Sequence, residues 1–191
     1  MSTPDGGKSA LIVVDVQKDF TEGGALGVTG GAQVAADVTA YVADHASAYD
    51  FIVATRDMHI DPGAHFSDNP DFVDSWPVHC VVGTGGAEFH PDLQLTRVDA
   101  VFDKGNYEAA YSGFEGSTDG VPLDEWLRER GVERVDVVGI ATDYCVRATA
   151  LDAVREGLRT RVLVDLTAGV APESTERALS EFADAGITVV R

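Results

Sequence analysis

Four side chains capable of acid–base or nucleophilic chemistry stand at the ends of short apolar runs. Asp15 ends ALIVVD, Asp57 ends FIVATRD, Lys104 comes shortly after AVF, and Cys145 ends ATDYC. Apolar, β-branched runs of this length are typical of strands that are covered on both faces. Ligands of open α/β sheets bind outside the carboxyl ends of such strands, so we expect the four side chains to share one rim.

Cys145 is the candidate nucleophile, because it stands in the first turn of a helix predicted over 144–157, where a thiolate is favoured. Lys104 would stabilise negative charge, and Asp15 could take the thiol proton and later return it to a leaving group. Backbone amides at Ala141 and Cys145 are candidate oxyanion donors, because a helix start leaves its amides without partners. Taken singly, Asp15 reads as a helix N-cap and Lys104 as a surface lysine. Together they predict acyl transfer by cysteine.

A second group of residues predicts a metal site. Asp57 and His59 alternate by two, so an extended segment projects both in the same direction. His65 follows a turn at Asp-Pro-Gly, and His79 follows soon after. Three imidazoles and one carboxylate suit one divalent ion, Zn, Mn or Fe(II), with positions left for water or substrate. The other two histidines, His45 and His90, are isolated and are interpreted as ordinary polar side chains.

Strand and helix patterns alternate along the chain. This predicts an α/β fold of three layers, α/β/α, with a mainly parallel six-stranded sheet. The segment 58–98 does not follow this alternation of strands and helices. Loops of that length inside a compact domain are usually functional. The predicted strands are 10–15, 51–57, 100–102, 135–140, 161–166 and 187–190, and the predicted helices are 31–48, 122–131, 144–157 and 174–186.

Composition limits the classes of partner. The 191 residues carry 32 acidic side chains against 14 Lys and Arg, a net charge of −18. That charge repels nucleic acid and anionic membranes, and it mildly favours a neutral substrate. No apolar run approaches the roughly 20 residues that cross a bilayer, and no secretory signal is recognisable, so we predict a cytoplasmic enzyme. We expect one domain over 1–191, with a flexible tail at 1–8.

Two further features have competing interpretations. The acid excess, with only three lysines, suggests adaptation to high salt, where screening weakens self-repulsion; the alternative is an ordinary acidic cytosolic enzyme. Cys80 and Cys145 are too few for a disulfide framework, so each is predicted to be a free thiol. For Cys80 we expect a packing role.

Several segments together resemble the nicotinamidase/pyrazinamidase members of the isochorismatase-like cysteine hydrolases. They are ALIVVDVQKDF, ATRDMHIDPGAHF, SWPVHC, FDKGNYEAAYSGFEG and VVGIATDYCVRATALDAV, within about residues 9–190. The resemblance implies a Rossmann-like isochorismatase-type fold, present as a monomer or homodimer. It also implies hydrolysis of nicotinamide, and of pyrazinamide, through a thioester in NAD salvage.

The same resemblance assigns roles to individual residues. The implied catalytic triad is Asp15, Lys104 and Cys145, and the implied metal ligands are Asp57, His59, His65 and His79. Phe20, Trp76 and Tyr111 match side chains that sandwich the substrate ring, and a cis peptide is implied at Ile140–Ala141. Tyr144 departs from the histidine or smaller residue often found before the nucleophile, so it is expected to contact substrate and to alter selectivity.

Two rival functions remain at this point. One is another amidase or ureide hydrolase on the same scaffold, against which the histidine cluster argues. The other is a non-catalytic metal-binding or interaction protein, which would have no need of Asp15, Lys104 and Cys145 together.

Overall fold

A computed structural model describes residues 7–191. In these residues eight strands form one sheet in the order β5–β4–β3–β2–β1–β6–β7–β8. The strands are β1 (Lys8–Val14), β2 (Phe51–Asp57), β3 (Ala100–Lys104), β4 (Ser117–Thr118), β5 (Val121–Pro122), β6 (Val132–Ile140), β7 (Arg159–Ala168) and β8 (Thr188–Val190). The helices are α1 (Gly31–His45), α2 (Leu123–Glu129), α3 (Cys145–Arg155) and α4 (Pro172–Asp184).

The predicted three-layer α/β/α architecture is confirmed, but the predicted count of six strands is wrong. The six predicted strands pair in parallel, from β3 across to β8. The two additional strands, β4 and β5, have two residues each and pair antiparallel at the β3 edge. Runs so short carry no readable hydrophobic period, which is why the sequence pattern did not indicate them.

The apolar core lies on both faces of the sheet. Leu11 and Val13 of β1 face the layer that contains α1. Ile12 and Val14 face the opposite layer, which packs α2, α3 and α4. Because side chains alternate along a strand, a central strand covered on both sides must be apolar where it is covered, as residues 10–14 of β1 are.

The parallel register brings the strand ends to one rim. Val14 of β1 pairs with Thr55 on one side and with Gly139 on the other. Asp57 at the end of β2 pairs with Lys104 at the end of β3. The sheet therefore presents the residues that follow β1, β2, β3 and β6 at the same edge.

Isolated bridges tie parts of the long segment between β2 and β3 to one another. His59 forms a parallel bridge with Val81, and Phe66 forms one with Trp76. The segment thus folds over the rim while remaining largely without regular structure.

Strand β1 and helix α4 both begin earlier than the sequence predicts. Residues 1–6 of the tail predicted for 1–8 lie outside the described residues, whereas Lys8 is the first residue of β1 and pairs with Val132. Helix α4 begins at Pro172, two residues before the predicted Ser174, because proline fits the first helical position. Among residues 7–191, no helix is both long enough and apolar enough to span a membrane.

Candidate active site and metal centre

Asp15, Lys104 and Cys145 meet in the interior, at the carboxyl end of the sheet. The Lys104 ammonium lies 2.9 Å from Asp15 Oδ2 and 4.0 Å from Cys145 Sγ. It also donates to Asp57 Oδ1 and, at 3.0 Å, to the Ala110 carbonyl. Lys104 is 1% exposed and Asp15 is fully buried, which rules out the surface-lysine interpretation. The structure thus brings together all four residues that were predicted to share the rim.

Burial and mutual charge set the protonation of this cluster. Burial raises the pKa of the Asp15 carboxyl; Lys104 opposes the rise, and the neighbouring Asp57 adds to it. Burial alone would lower the pKa of Lys104, but Asp15 and Asp57 raise it well above its ordinary value. Lys104 is therefore a permanent cation beside a carboxyl group that can gain or lose a proton.

The pKa of the Cys145 thiol differs from what its position at the start of a helix predicts. Burial raises the pKa of Cys145 well above its ordinary value; Lys104 opposes the rise, while Asp15 and Asp57 add to it. Desolvation and two carboxylates thus outweigh the effect of Lys104 on the pKa of the thiol. Cys145 rests as a thiol, and a nearby proton acceptor is needed before it can attack.

The start of α3 places the amides that were predicted to bind an oxyanion. Tyr144 N and Val146 N both donate to the Ala141 carbonyl, at 3.1 and 3.0 Å. In the described part of the chain, the Cys145 amide between them makes no backbone hydrogen bond. The Ile140–Ala141 peptide bond is cis, as the resemblance implies. An unpaired amide therefore accompanies the candidate nucleophile.

The three predicted histidine ligands converge. Ring nitrogens of His59, His65 and His79 lie within 4.8 Å of one another, and all three residues are buried. Asp57 Oδ2 is 3.6 Å from His59 Nε2 and 3.9 Å from His79 Nε2, so the fourth predicted ligand borders the same point. Its other oxygen accepts from Lys104, which links this cluster to the triad.

The hydrogen bonds of the rings fit a metal site. His59 Nδ1 contacts the Gly105 carbonyl at 2.5 Å, and His79 Nδ1 contacts the Pro77 carbonyl at 2.7 Å. Both rings are thereby oriented with Nε2 toward the cluster, as in many metal sites. His59 Nε2 and His65 Nδ1 are buried without a hydrogen-bond partner, a costly arrangement that a cation would relieve.

Burial favours, in two of the histidines, the neutral form that metal ligation requires. Burial lowers the pKa of His65 to about 4, and the neighbouring His79 and His59 add to the effect. Burial also lowers the pKa of His79. The pKa of Asp57 lies below its ordinary value because Lys104 and His59 outweigh the effect of burial. His65 and His79 therefore favour the neutral form, beside the Asp57 carboxylate.

A cavity of about 320 Å³ opens onto both clusters. Trp76 Nε1 donates to the Tyr111 hydroxyl at 2.9 Å, and the Trp76 and Tyr144 rings meet edge to face at 5.3 Å. This aromatic wall suits a flat ring. Every residue predicted to contact substrate lines the cavity together with the nucleophile: Phe20, Trp76, Tyr111, Ala141, Tyr144 and Cys145.

Sequence reasoning missed the residues that hold the reactive groups in place. Thr55 donates to Asp15 Oδ1 at 2.7 Å. The fully buried Gln17 amide bonds to both the N–H and the carbonyl of Asp57, each at 2.8 Å. Gln17 could have been noticed as a polar residue shortly after a buried strand, but its partner Asp57 lies 40 residues away in the sequence. Phe72 also lines the cavity and was not predicted.

The remaining cysteine and histidines occupy ordinary positions. Cys80 is fully buried, and burial raises the pKa of its thiol, in keeping with the packing role expected for it. The exposed ring of His45 stacks on Tyr41, and His90 accepts from the Asp92 amide.

Comparison with known proteins gives a consistent picture. The family model for the isochorismatase domain matches residues 9–191. A nicotinamidase/pyrazinamidase of Mycobacterium tuberculosis is 60% identical over 182 residues, which cover 95% of this chain and 97% of that protein. The crystal structure of a pyrazinamidase of Pyrococcus horikoshii in complex with zinc superposes with a TM-score of 0.84 at 41% identity, covering 96% and 99% of the two chains. The structure of PnC1 from L. infantum in complex with nicotinate gives a TM-score of 0.85 at 34% identity, covering 100% and 96%. These likenesses confirm the predicted fold.

Proposed function

The chain belongs to the isochorismatase family, and we propose that it is a nicotinamidase, an amidohydrolase that converts nicotinamide to nicotinate and ammonia. Pyrazinamide, an aromatic amide of the same shape, is a second substrate. One observation carries the proposal: the Lys104 ammonium, 4.0 Å from Cys145 Sγ, also contacts Asp57, which borders the three imidazoles. Nucleophile and metal ligands thus adjoin a single cavity.

The chemistry follows from the protonation of the triad. Asp15 takes the proton of the Cys145 thiol while Sγ attacks the carboxamide carbon. The C–N bond then breaks, and Asp15 returns the proton to the departing nitrogen, which leaves as ammonia. Water attacks the resulting thioester, giving nicotinate and the free thiol. The raised pKa of Asp15 suits a group that must both accept and donate a proton.

Lys104 and the start of α3 stabilise charge during these steps. Lys104 remains a cation throughout, so it stabilises the thiolate that forms when Asp15 takes the proton. The amides of Ala141 and Cys145 bind the oxyanion of the tetrahedral intermediates. Neither group has to be reorganised during the reaction, because both are set by the fold.

The ring of the substrate is positioned at the other end of the cavity. Phe20, Trp76, Tyr111 and Tyr144 supply aromatic surfaces, and Tyr144 limits the width available to ring substituents. His59, His65, His79 and Asp57 would hold one divalent ion, Zn, Mn or Fe(II). When bound, the ion supplies a Lewis-acid partner for the pyridine nitrogen.

The physiological setting follows from the reaction. A neutral aromatic amide is compatible with the net charge of −18, and nicotinate is a precursor that NAD salvage consumes. We place the enzyme in the cytoplasm, as a monomer or homodimer without nucleic-acid or membrane partners. A linear amide or ureide remains the alternative substrate class within the family.

Ammonia release from a small panel of amides tests the function. We expect the zinc-loaded protein to hydrolyse nicotinamide and pyrazinamide. Benzamide, which has the same ring shape without the ring nitrogen, should be hydrolysed much more slowly. A linear ureide should give no ammonia. Hydrolysis of the ureide in preference to nicotinamide, or no hydrolysis of any amide, would overturn the proposal.

A further inference from the structure

The backbone that follows Lys104 runs beside the segment that carries His59. Met58 N donates to the Lys104 carbonyl at 2.9 Å, and Ile60 N donates to the Asn106 carbonyl at 2.8 Å. The Asn106 side-chain amide donates back to the Met58 carbonyl at 2.6 Å. Residues 104–106 therefore hold 58–60 on both sides of the histidine.

Gly105 lies at the centre of this contact. Its carbonyl is 2.5 Å from His59 Nδ1, which leaves Nε2 to face His65 and His79. A Cβ at position 105 would lie 2.7 Å from His59 Cε1 and 3.0 Å from His59 Nδ1. Its φ is +78°, in the left-handed region that favours glycine. The imidazole thus fills the space that any side chain at 105 would need.

We propose that Gly105 is a positioning residue of the metal site. Its carbonyl selects the tautomer and direction of the His59 ring, and its missing side chain admits that ring to the cluster. The inference rests on the metal centre of the proposed function. Because Gly105 directly follows Lys104, the turn that supplies the triad cation also orients a metal ligand.

Zinc and cobalt binding by Gly105→Ala tests the proposal. A Cβ at 105 must displace the His59 ring, so we expect zinc affinity to fall by about 10- to 100-fold, the usual effect of losing an outer partner of a ligand. The absorption spectrum of the cobalt-loaded variant at saturation should also differ from that of the wild type. Wild-type zinc affinity together with a wild-type cobalt spectrum would overturn the proposal.

Gly120→Ala is the matched control. Gly120 has a φ of +81°, and a Cβ there would meet nothing within 4 Å. This variant carries the same backbone cost without touching a ligand, so it should bind zinc as the wild type does. An equal loss of zinc affinity in Gly120→Ala would assign the effect to general strain and refute the role of Gly105.

A double variant separates the ring contact from any folding defect. In a His59→Ala background the Cβ at 105 has no imidazole to displace, so Gly105→Ala should cause no further loss of zinc affinity. If Gly105→Ala alone fails to fold, His59→Ala/Gly105→Ala should fold again. A double variant that stays unfolded, or that loses further affinity, contradicts the proposal.

These binding measurements are independent of turnover. Zinc-loaded wild type that releases no ammonia from nicotinamide would remove the proposed function and leave the role of Gly105 standing. Wild-type zinc binding by Gly105→Ala would refute the role of Gly105 and leave the proposed function standing.

Discussion

At the scale of single residues, the site depends on charges that are buried together. Lys104 and Asp15 are each at most 1% exposed, and Asp57 is 3% exposed. A buried ion pair gives little net stability, but removal of one partner leaves the other charge unpaired at a high cost. Lys104 faces two carboxylates, so its removal would leave Asp15 and Asp57 without their shared cation.

Lys104→Met should therefore lower both activity and stability. We expect a loss of about 3–5 kcal/mol in the free energy of unfolding, measured by urea denaturation, together with loss of nicotinamide turnover. Lys18→Met is the matched control, since Lys18 pairs with Glu88 at the surface and a surface pair contributes about 1 kcal/mol or less. Equal losses in the two variants would contradict the assignment of Lys104.

The pH dependence of the metal-free protein tests the histidine cluster. His65 has a pKa of about 4 in the folded state, while the unfolded chain takes up that proton near its ordinary value of about 6.5. Within that window the unfolded state binds more protons, so the stability contributed by His65 is present above the upper value and is lost as pH falls.

We expect the wild-type apoprotein to lose more stability than His65→Asn when the pH falls from about 7 to about 5. Denaturation curves at the two pH values give the comparison, because titrating groups outside the histidine cluster contribute equally to both proteins. A smaller loss in the wild type would show that His65 is not held neutral.

At the scale of elements, the residues at the strand ends could be predicted from the sequence. The buried faces of the helices could be predicted less well. The carboxyl-end rule placed Asp15, Asp57, Lys104 and Cys145 on one rim, because parallel strands end at the same edge. Partners such as Thr55 lie on another strand, and contacts across strands need a register that no single strand encodes. The grouping of these four side chains could therefore be predicted from the sequence. The residues that hold them in place could not.

Helix α3 shows why a helix face can be assigned incorrectly. The spacing of apolar residues in the predicted helix 144–157 predicts an inward stripe at Ala148, Leu151 and Val154, yet the fully buried positions include Ala150 and Ala153. Ala148, Leu151 and Val154 are only partly buried. Leu151 and Val154 still pack against the core, but the small side chains of Ala150 and Ala153 let the helix approach the sheet closely, so the most buried face is displaced from the predicted stripe.

Ala150→Leu should consequently overpack this interface. We expect a loss of about 1–3 kcal/mol in the free energy of unfolding, as is usual when methylenes enter a filled core. Ala148→Leu, two residues away and half-buried, should cost clearly less. The same urea titration checks both, and a larger loss from Ala148→Leu would favour the stripe first indicated by the sequence.

At the scale of the whole molecule, the acid excess governs behaviour in salt. With a net charge of −18, most of the repelling carboxylates lie at the surface, where screening reaches them. We expect the melting temperature to rise between about 0.1 M and about 1 M sodium chloride, as the Debye length shortens from about 10 Å to about 3 Å. An unchanged or falling melting temperature would remove the idea of adaptation to high salt.

The proposed function depends most on one residue, Cys145, which should form the thioester through which nicotinamide is hydrolysed. The most direct measurement is ammonia release from nicotinamide by zinc-loaded Cys145→Ala, with the zinc content of the same sample determined and Cys80→Ala as the cysteine control. We predict no turnover by Cys145→Ala at full zinc content, and retained turnover by Cys80→Ala. Substantial ammonia release by Cys145→Ala would contradict the account.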